Sequence, residues 1–134
     1  MANSEVETIL VVEDESAVAG MLAKLLERAG YAAHIEPTGS RAISYIQGHS
    51  PDLVILDLRL PDMSGLDVCR VMRQALVSWS LPIIMLTGLD TPADQQRGFS
   101  TGADAYLTKP CPPAHLLAVI DRLLGGESED SACT

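Results

Sequence analysis

Short aliphatic runs recur along the chain, and between them the apolar positions space out at three and four residues. Residues 9–12 (ILVV) and the LVIL core of residues 52–57 carry no internal polar position, as strands buried on both faces of a parallel sheet do. Residues 82–87 (PIIMLT) and 105–108 (AYLT) read the same way, and 32–35 (AAHI) is a weaker, more polar strand. Val18, Leu22, Leu25 and Ala29 share one helical face, with Gly30 where a helix C′ residue belongs. Ala42, Ile43 and Ile46 mark a short helix over 40–47, closed by Gly48. Leu66, Cys69, Met72 and Leu76 continue the pattern in a third helix starting near Ser64. Thr91-Pro92-Ala93-Asp94 supplies an N-cap, an N1 proline and a capping-box acid for a fourth helix ending by Gly102. Pro112 and Pro113 open a fifth, with Leu116, Ile120 and Leu123 or Leu124 facing inward.

Five strands alternating with five helices predict an α/β fold, a parallel sheet with helices on both faces. Right-handed crossovers leave few topologies. The leading one is the flavodoxin-like three-layer α/β/α sandwich with strand order 2-1-3-4-5. Residues 8–124 form the expected domain, 1–7 a flexible lead and 125–134 a polar tail or the start of a linker.

Composition removes several function classes. A chain of 134 residues buries an adequate core as one domain without a metal or disulfide staple. No apolar run approaches the roughly 20 residues a membrane helix needs, and MANSEVET lacks the features of an export signal. Cys69, Cys111 and Cys133 show no CxxC spacing, and His34, His49 and His115 show no ligand spacing. Together these suggest a reducing, cytoplasmic setting with no disulfide framework or zinc site. A net charge of −9 argues against direct contact with nucleic acid.

Candidate chemistry collects at strand ends. In open parallel sheets ligands bind outside the carboxyl ends of the strands. Asp57 ends the third strand and runs into the turn Pro61-Asp62-Met63-Ser64-Gly65. Glu13 and Asp14 follow the first strand, so the three acids are expected to converge between strands 1 and 3. Mutual repulsion there would be relieved by Mg²⁺, which takes one or two carboxylates plus waters and phosphate oxygens. A carboxylate beside such an ion can act as a nucleophile toward phosphorus. Thr87 and Lys109 end strands 4 and 5, where a hydroxyl and an ammonium would steady a phosphoryl group.

The segments ILVVEDE, DLVILDLRLPDMSGLD, PIIMLTG and GADAYLTKP stand in this order. With them the chain resembles the receiver domain of two-component response regulators, the CheY-like superfamily, from about Thr8 to Leu124. A chemotaxis receiver is itself a known example of the 2-1-3-4-5 order, so that topology belongs partly to the resemblance. The resemblance implies that Asp57 accepts a phosphoryl group from a sensor histidine kinase or a histidine phosphotransfer protein. It implies Mg²⁺ bound by Asp14, Asp57 and the backbone carbonyl of Arg59, with Glu13 acting through water. It further implies that Thr87 is the switch hydroxyl, Tyr106 the switch aromatic and Lys109 the phosphoryl contact. The surface of helix 4, strand 5 and helix 5 would respond, and a phosphorylation-linked homodimer is one outcome. Lys109-Pro110 matches the family's cis bond. Glu13 stands where aspartate is commoner, and Cys111 where an aromatic often follows Lys-Pro. Arg59 and Leu89 occupy variable positions that influence dephosphorylation, and their bulk suggests a long-lived phosphoryl group.

Other readings compete with this one. An aspartate-nucleophile, Mg²⁺-dependent phosphatase would want a second acid where Arg59 stands. A flavodoxin-type cofactor binder would want a phosphate-cradling loop where Glu13-Asp14-Glu15 stands. A pseudo-receiver signalling without phosphorylation has no need of the intact set of acids, Thr87 and Lys109.

Overall fold

The computed structural model describes residues 6–76 and 80–125. Five parallel strands form one sheet in the order β2-β1-β3-β4-β5. They are β1 (Thr8–Val12), β2 (Ala32–Glu36), β3 (Leu53–Leu56), β4 (Ile83–Thr87) and β5 (Ala105–Thr108). The helices are α1 (Ser16–Arg28), α2 (Gly39–Gly48), α3 (Gly65–Val71), α4 (Pro92–Thr101) and α5 (Pro113–Leu123). The expected segments 1–7 and 125–134 fall mostly outside the described residues.

Because side chains alternate along a strand, the sheet feeds two separate cores. Ile9 and Val11 of β1, with Leu53 and Ile55 of β3, pack under α1 and α5. Leu10, Val12, Val54 and Leu56 point the other way, against Ala42 and Ile46 of α2 and Val68 and Cys69 of α3. Residues 53–56 are all buried, as an uninterrupted aliphatic strand requires. Burying each such side chain contributes roughly 1.5–3 kcal/mol.

Local signals bound the helices where expected except at Gly48, which lies inside α2 while the extended His49 caps that helix. Thr91 and Asp94 form a reciprocal capping box at the start of α4, and Ser64 Oγ accepts from Leu66 N–H at the start of α3. Gly30 and Gly102 close α1 and α4 at φ of 99° and 119°, a region that costs other residues a steric clash. The second strand extends one residue further than expected, to Glu36.

The third helix departs from its regular expectation. After Val71 the chain widens into a π-helical segment, Met72–Leu76. This places Arg73 inward, with its side chain only 1% exposed. Its guanidinium donates from Nε (3.1 Å) and Nη2 (2.8 Å) to the Gly102 carbonyl, and from Nη1 to the Leu81 carbonyl at 2.7 Å. Nη2 also meets Asp104 Oδ2 at 2.9 Å, the oxygen that accepts Ile83 N–H. One buried cation thus fastens the end of α4 to the entrance of β4. Hydrogen bonds to charged groups contribute about 1.5–3 kcal/mol each, and stranded buried carbonyls add a penalty. Arg73→Ala is expected to lose about 3 kcal/mol of stability, seen as a lower urea midpoint at an unchanged slope.

Candidate functional site

β1 and β3 lie side by side, so their carboxyl ends open into one crevice. Glu13 N–H bonds the Glu36 carbonyl at 3.1 Å, and Asp57 N–H bonds the Val12 carbonyl at 3.1 Å. Both residues are therefore pinned by the sheet's own hydrogen bonds, and both are buried, at 3% and 6% exposure. Beyond Asp57 the chain folds back on itself. Gly65 N–H reaches the Leu58 carbonyl at 2.9 Å, and Asp57 Oδ1 accepts Arg59 N–H at 3.0 Å. A methyl on Gly65 would lie 2.3 Å from the Asp57 backbone oxygen. Only glycine allows the turn to close this tightly behind the acid. The same loop is tied to α2, because the Asp62 carboxylate accepts Gly39 N–H at 2.8 Å and Ser40 N–H at 2.9 Å. Those bonds hold the Asp62 carboxyl below its ordinary range.

Lys109, just beyond β5, completes the crevice. Its ammonium lies 2.7 Å from Glu13 Oε1 and 2.8 Å from Asp57 Oδ2. Burial alone would push Lys109 down, yet the bonds and charges of Asp57 and Glu13 together raise it above 10.5. Burial pushes Glu13 above 4.5, and the Lys109 ammonium offsets only part of that desolvation. Lys109 N–H donates to the Thr87 carbonyl at 2.8 Å, and the Lys109-Pro110 bond is cis. Thr87 is fully buried, and its hydroxyl oxygen accepts Leu89 N–H at 3.4 Å. Tyr106 lies half-buried between β5 and α4, its hydroxyl donating to the Leu89 carbonyl at 2.7 Å.

Three converging acids were expected, and the structure brings two of them together. Glu13 and Asp57 turn inward to share Lys109, whereas Asp14 is exposed at the rim. Among the described residues no three His, Cys, Asp or Glu side chains gather closely enough to hold a metal by themselves. The Lys109 ammonium, expected to face a phosphoryl group, here bridges the two buried carboxylates. The donor chemistry still suits Mg²⁺. Asp57, Asp14 and the Arg59 carbonyl are hard oxygen donors with no thiol or imidazole among them, and this ion commonly keeps several waters.

A family model described as the response regulator receiver domain matches residues 9–121. The chain belongs to this family. The alkaline phosphatase synthesis transcriptional regulatory protein SphR of Synechococcus elongatus is 40% identical over 132 residues, covering 92% of this chain and 51% of the relative. The DNA-binding response regulator MtrA of Mycolicibacterium smegmatis is 41% identical over 124 residues, covering 92% and 53%. The receiver thus spans about half the length of the curated relatives it matches. A CheY-like receiver domain protein from Methanospirillum hungatei superposes with a TM-score of 0.86 at 28% identity, covering 94% of this chain and 99% of that one.

The receiver's site titrates with the same sign at Lys109 and at Glu13, both raised in the folded protein. Lys109 has a raised folded pKa, so its stabilisation is complete below 10.5 and lost as pH climbs through the folded value. Glu13 is also raised, so its contribution is present below 4.5 and lost as pH rises through its folded value. The Lys109 ammonium thus opposes the upward push of burial on Glu13. In Lys109→Met, Glu13 is expected to titrate higher than in the wild type, as measured by carboxyl ¹³C chemical shifts against pH. An unchanged midpoint would show that the ammonium does not compensate this acid.

Proposed function

We propose that this receiver is a phosphoryl-accepting switch in which Asp57 takes the group from a phosphohistidine on a sensor kinase or phosphotransfer protein. The observation that carries this reading is the Lys109 ammonium, 2.8 Å from a buried strand-end carboxylate. In the step, the phosphorus–nitrogen bond breaks and a phosphorus–oxygen bond to Asp57 forms. The electron pair stays on the imidazole nitrogen. Phosphoryl transfer asks mainly for positioning and charge stabilisation, and the rigid ends of β1, β3 and β5 supply both. Bound Mg²⁺ would neutralise charge on the transferred oxygens, held by Asp14, Asp57 and the Arg59 carbonyl, with Glu13 acting through water.

Phosphorylation removes one anionic oxygen from Asp57 and adds a group carrying about −1.5 to −2 charge. Lys109 then has stronger acceptors than Glu13, and the Thr87 hydroxyl turns from Leu89 N–H toward a phosphoryl oxygen. Tyr106 follows through its bond to Leu89, so the face built by α4, β5 and α5 changes shape. A partner that prefers one shape shifts the equilibrium by that difference in affinity. That partner is an effector or a second copy of this chain.

The donor protein docks beside Lys109. There α1 and the start of α5 frame an apolar groove of about 720 Å³, lined by Val18, Met21, Leu25, Cys111 and Leu116 among others. Met21 is 65% exposed in it. We place the protein in the cytoplasm, where the kinase's catalytic region works; no helix among the described residues is long and apolar enough to cross a membrane. Relatives are named transcriptional or DNA-binding regulators. The acidic chain, at −9, signals to its output by protein contact and does not itself grip nucleic acid. It is a stoichiometric acceptor, not a multiple-turnover enzyme. Residues 8–124 form the receiver, with 1–7 and 125–134 as flanking segments.

Incubation with Mg²⁺ and a small acyl-phosphate donor should add one phosphoryl group, read by intact mass. Asp57→Asn or a chelator should abolish it, and equal labelling of Asp57→Asn would refute the acceptor assignment. Arg59 and Leu89 follow Asp57 and Thr87 by two residues each, and bulky side chains at those positions would restrict an attacking water. Arg59→Asn with Leu89→Ala is expected to speed loss of the phosphoryl group by roughly tenfold, about 1.4 kcal/mol of barrier. Decay followed by mass after donor removal measures this, and an unchanged rate would locate the control elsewhere.

A further inference from the structure

Along α4 the inward positions recur every four residues at Asp94, Gly98 and the capping Gly102. Gly98 is helical and buried, with no positive φ to explain it. Glycine in a helix interior weakens the helix relative to alanine, so this position needs another reason. A methyl there would lie 2.7 Å and 2.9 Å from Cδ2 and Cε2 of Tyr106, and 2.8 Å from Met85 Sδ. The Tyr106 ring rests on the bare backbone of α4.

The rest of the seat is equally specific. The Phe99 ring stands beside Tyr106, with centroids 6.3 Å apart and planes tilted by 47°. The Leu89 carbonyl holds the Tyr106 hydroxyl, while Leu89 N–H is held by the Thr87 hydroxyl. One residue of the loop before α4 is therefore gripped at its N–H by Thr87 and at its C=O by Tyr106. The position differs from Gly65, where a methyl would strike immovable backbone. At Gly98 the obstructing atoms belong to side chains. Tyr106 is partly open to solvent and can move outward, whereas the fully buried Met85 thioether can shift only into space that the ring vacates. Relief of the clash falls on the tyrosine.

We propose that Gly98 is a positioning residue for the switch: its missing side chain forms the seat for the inward Tyr106, and filling it uncouples the α4 face from Asp57. The proposal rests on the receiver reading for its signalling meaning, and on packing alone for the seat. In Gly98→Ala the ring is displaced outward, its bond to Leu89 is lost, and α4 no longer senses what Thr87 does.

The test is nitration of tyrosine by tetranitromethane, resolved by peptide mapping because Tyr31 and Tyr45 are also present. In Gly98→Ala, Tyr106 should react several-fold faster than in the wild type, and Mg²⁺ with acyl phosphate should no longer alter its rate. Wild-type reactivity at Tyr106, or a normal response to the donor, overturns the proposal. Thermal unfolding adds a second readout. Gly98→Ala should lower the midpoint in the wild-type background and raise it in Tyr106→Ala, where the cavity is free and only helix propensity remains. If Gly98→Ala fails to fold, folding should return in Gly98→Ala/Tyr106→Ala; equal damage in both backgrounds overturns the seat. Basal nitration and melting need no phosphoryl donor, so failure of wild-type Asp57 to label refutes the receiver reading by a separate measurement.

Discussion

A parallel sheet covered on both faces has little tolerance for polar groups except at its strand ends, and this receiver gathers two carboxylates and one ammonium at the carboxyl edge. Lys109 lies 2.7 Å from Glu13 and 2.8 Å from Asp57, with both acids nearly out of water. Two buried anions sharing one cation leave the cluster short of positive charge, and exposed Asp14 adds to the deficit at the rim. At an effective dielectric near 20, unit charges about 4 Å apart interact by roughly 4 kcal/mol. Neither the attraction nor the residual repulsion is negligible on the scale of a domain's stability. Such a cluster, one cation against two carboxylates, is what the proposed Mg²⁺ site would rest on. In the proposed switch an incoming phosphoryl group would redistribute the Lys109 contacts.

Much of this was legible in the chain because the relevant signals are local. The four-residue run 53–56 announced a doubly buried strand, and Asp57 at its end had to emerge at the sheet's edge. Thr91 and Asp94 announced a helix start, and Gly30 and Gly102 announced two helix ends. What escaped was non-local. Arg73 carries no signal of its own in the sequence, yet in the π-helical segment after Val71 it points inward toward Gly102 and Asp104. No spacing rule foretells that. Lys109 was recognised as a charge at the site, but not as the bridge that leaves Asp14 outside a pair made by Glu13 and Asp57. Gly98 carried no signal either. Its role depends on a ring from β5 approaching α4, a contact set by tertiary packing and invisible in a glycine within a helical pattern.

Two of the features that escaped, Arg73 and Gly98, bear on α4. Its start is fixed by the Thr91–Asp94 box, with Arg97 adding an ion pair to Asp94 at 2.6 Å. Its end is fixed by Arg73 through the Gly102 carbonyl. Its middle rests on Tyr106. A helix secured at both termini does not slide freely. The softest degree of freedom is then the ring beneath its centre, together with the short loop through Leu89.

In the proposed switch, that arrangement would carry a change at Asp57 to the α4 face without a large motion. Lys109 N–H bonds the Thr87 carbonyl, joining the ends of β4 and β5 by main chain. Thr87 reaches Leu89 N–H through its hydroxyl, and Tyr106 reaches the carbonyl of the same residue. The physical warrant for coupling is an element with two discrete arrangements that both sites bias. Here that element is small: one loop residue held by two hydroxyls, and one ring whose seat exists only because α4 lacks a single methyl group. Packed interiors respond in steps and not by smooth deformation. A ring that is either seated or displaced is such a step, so the proposed switch would follow from close packing around Gly98 as much as from the charge on Asp57.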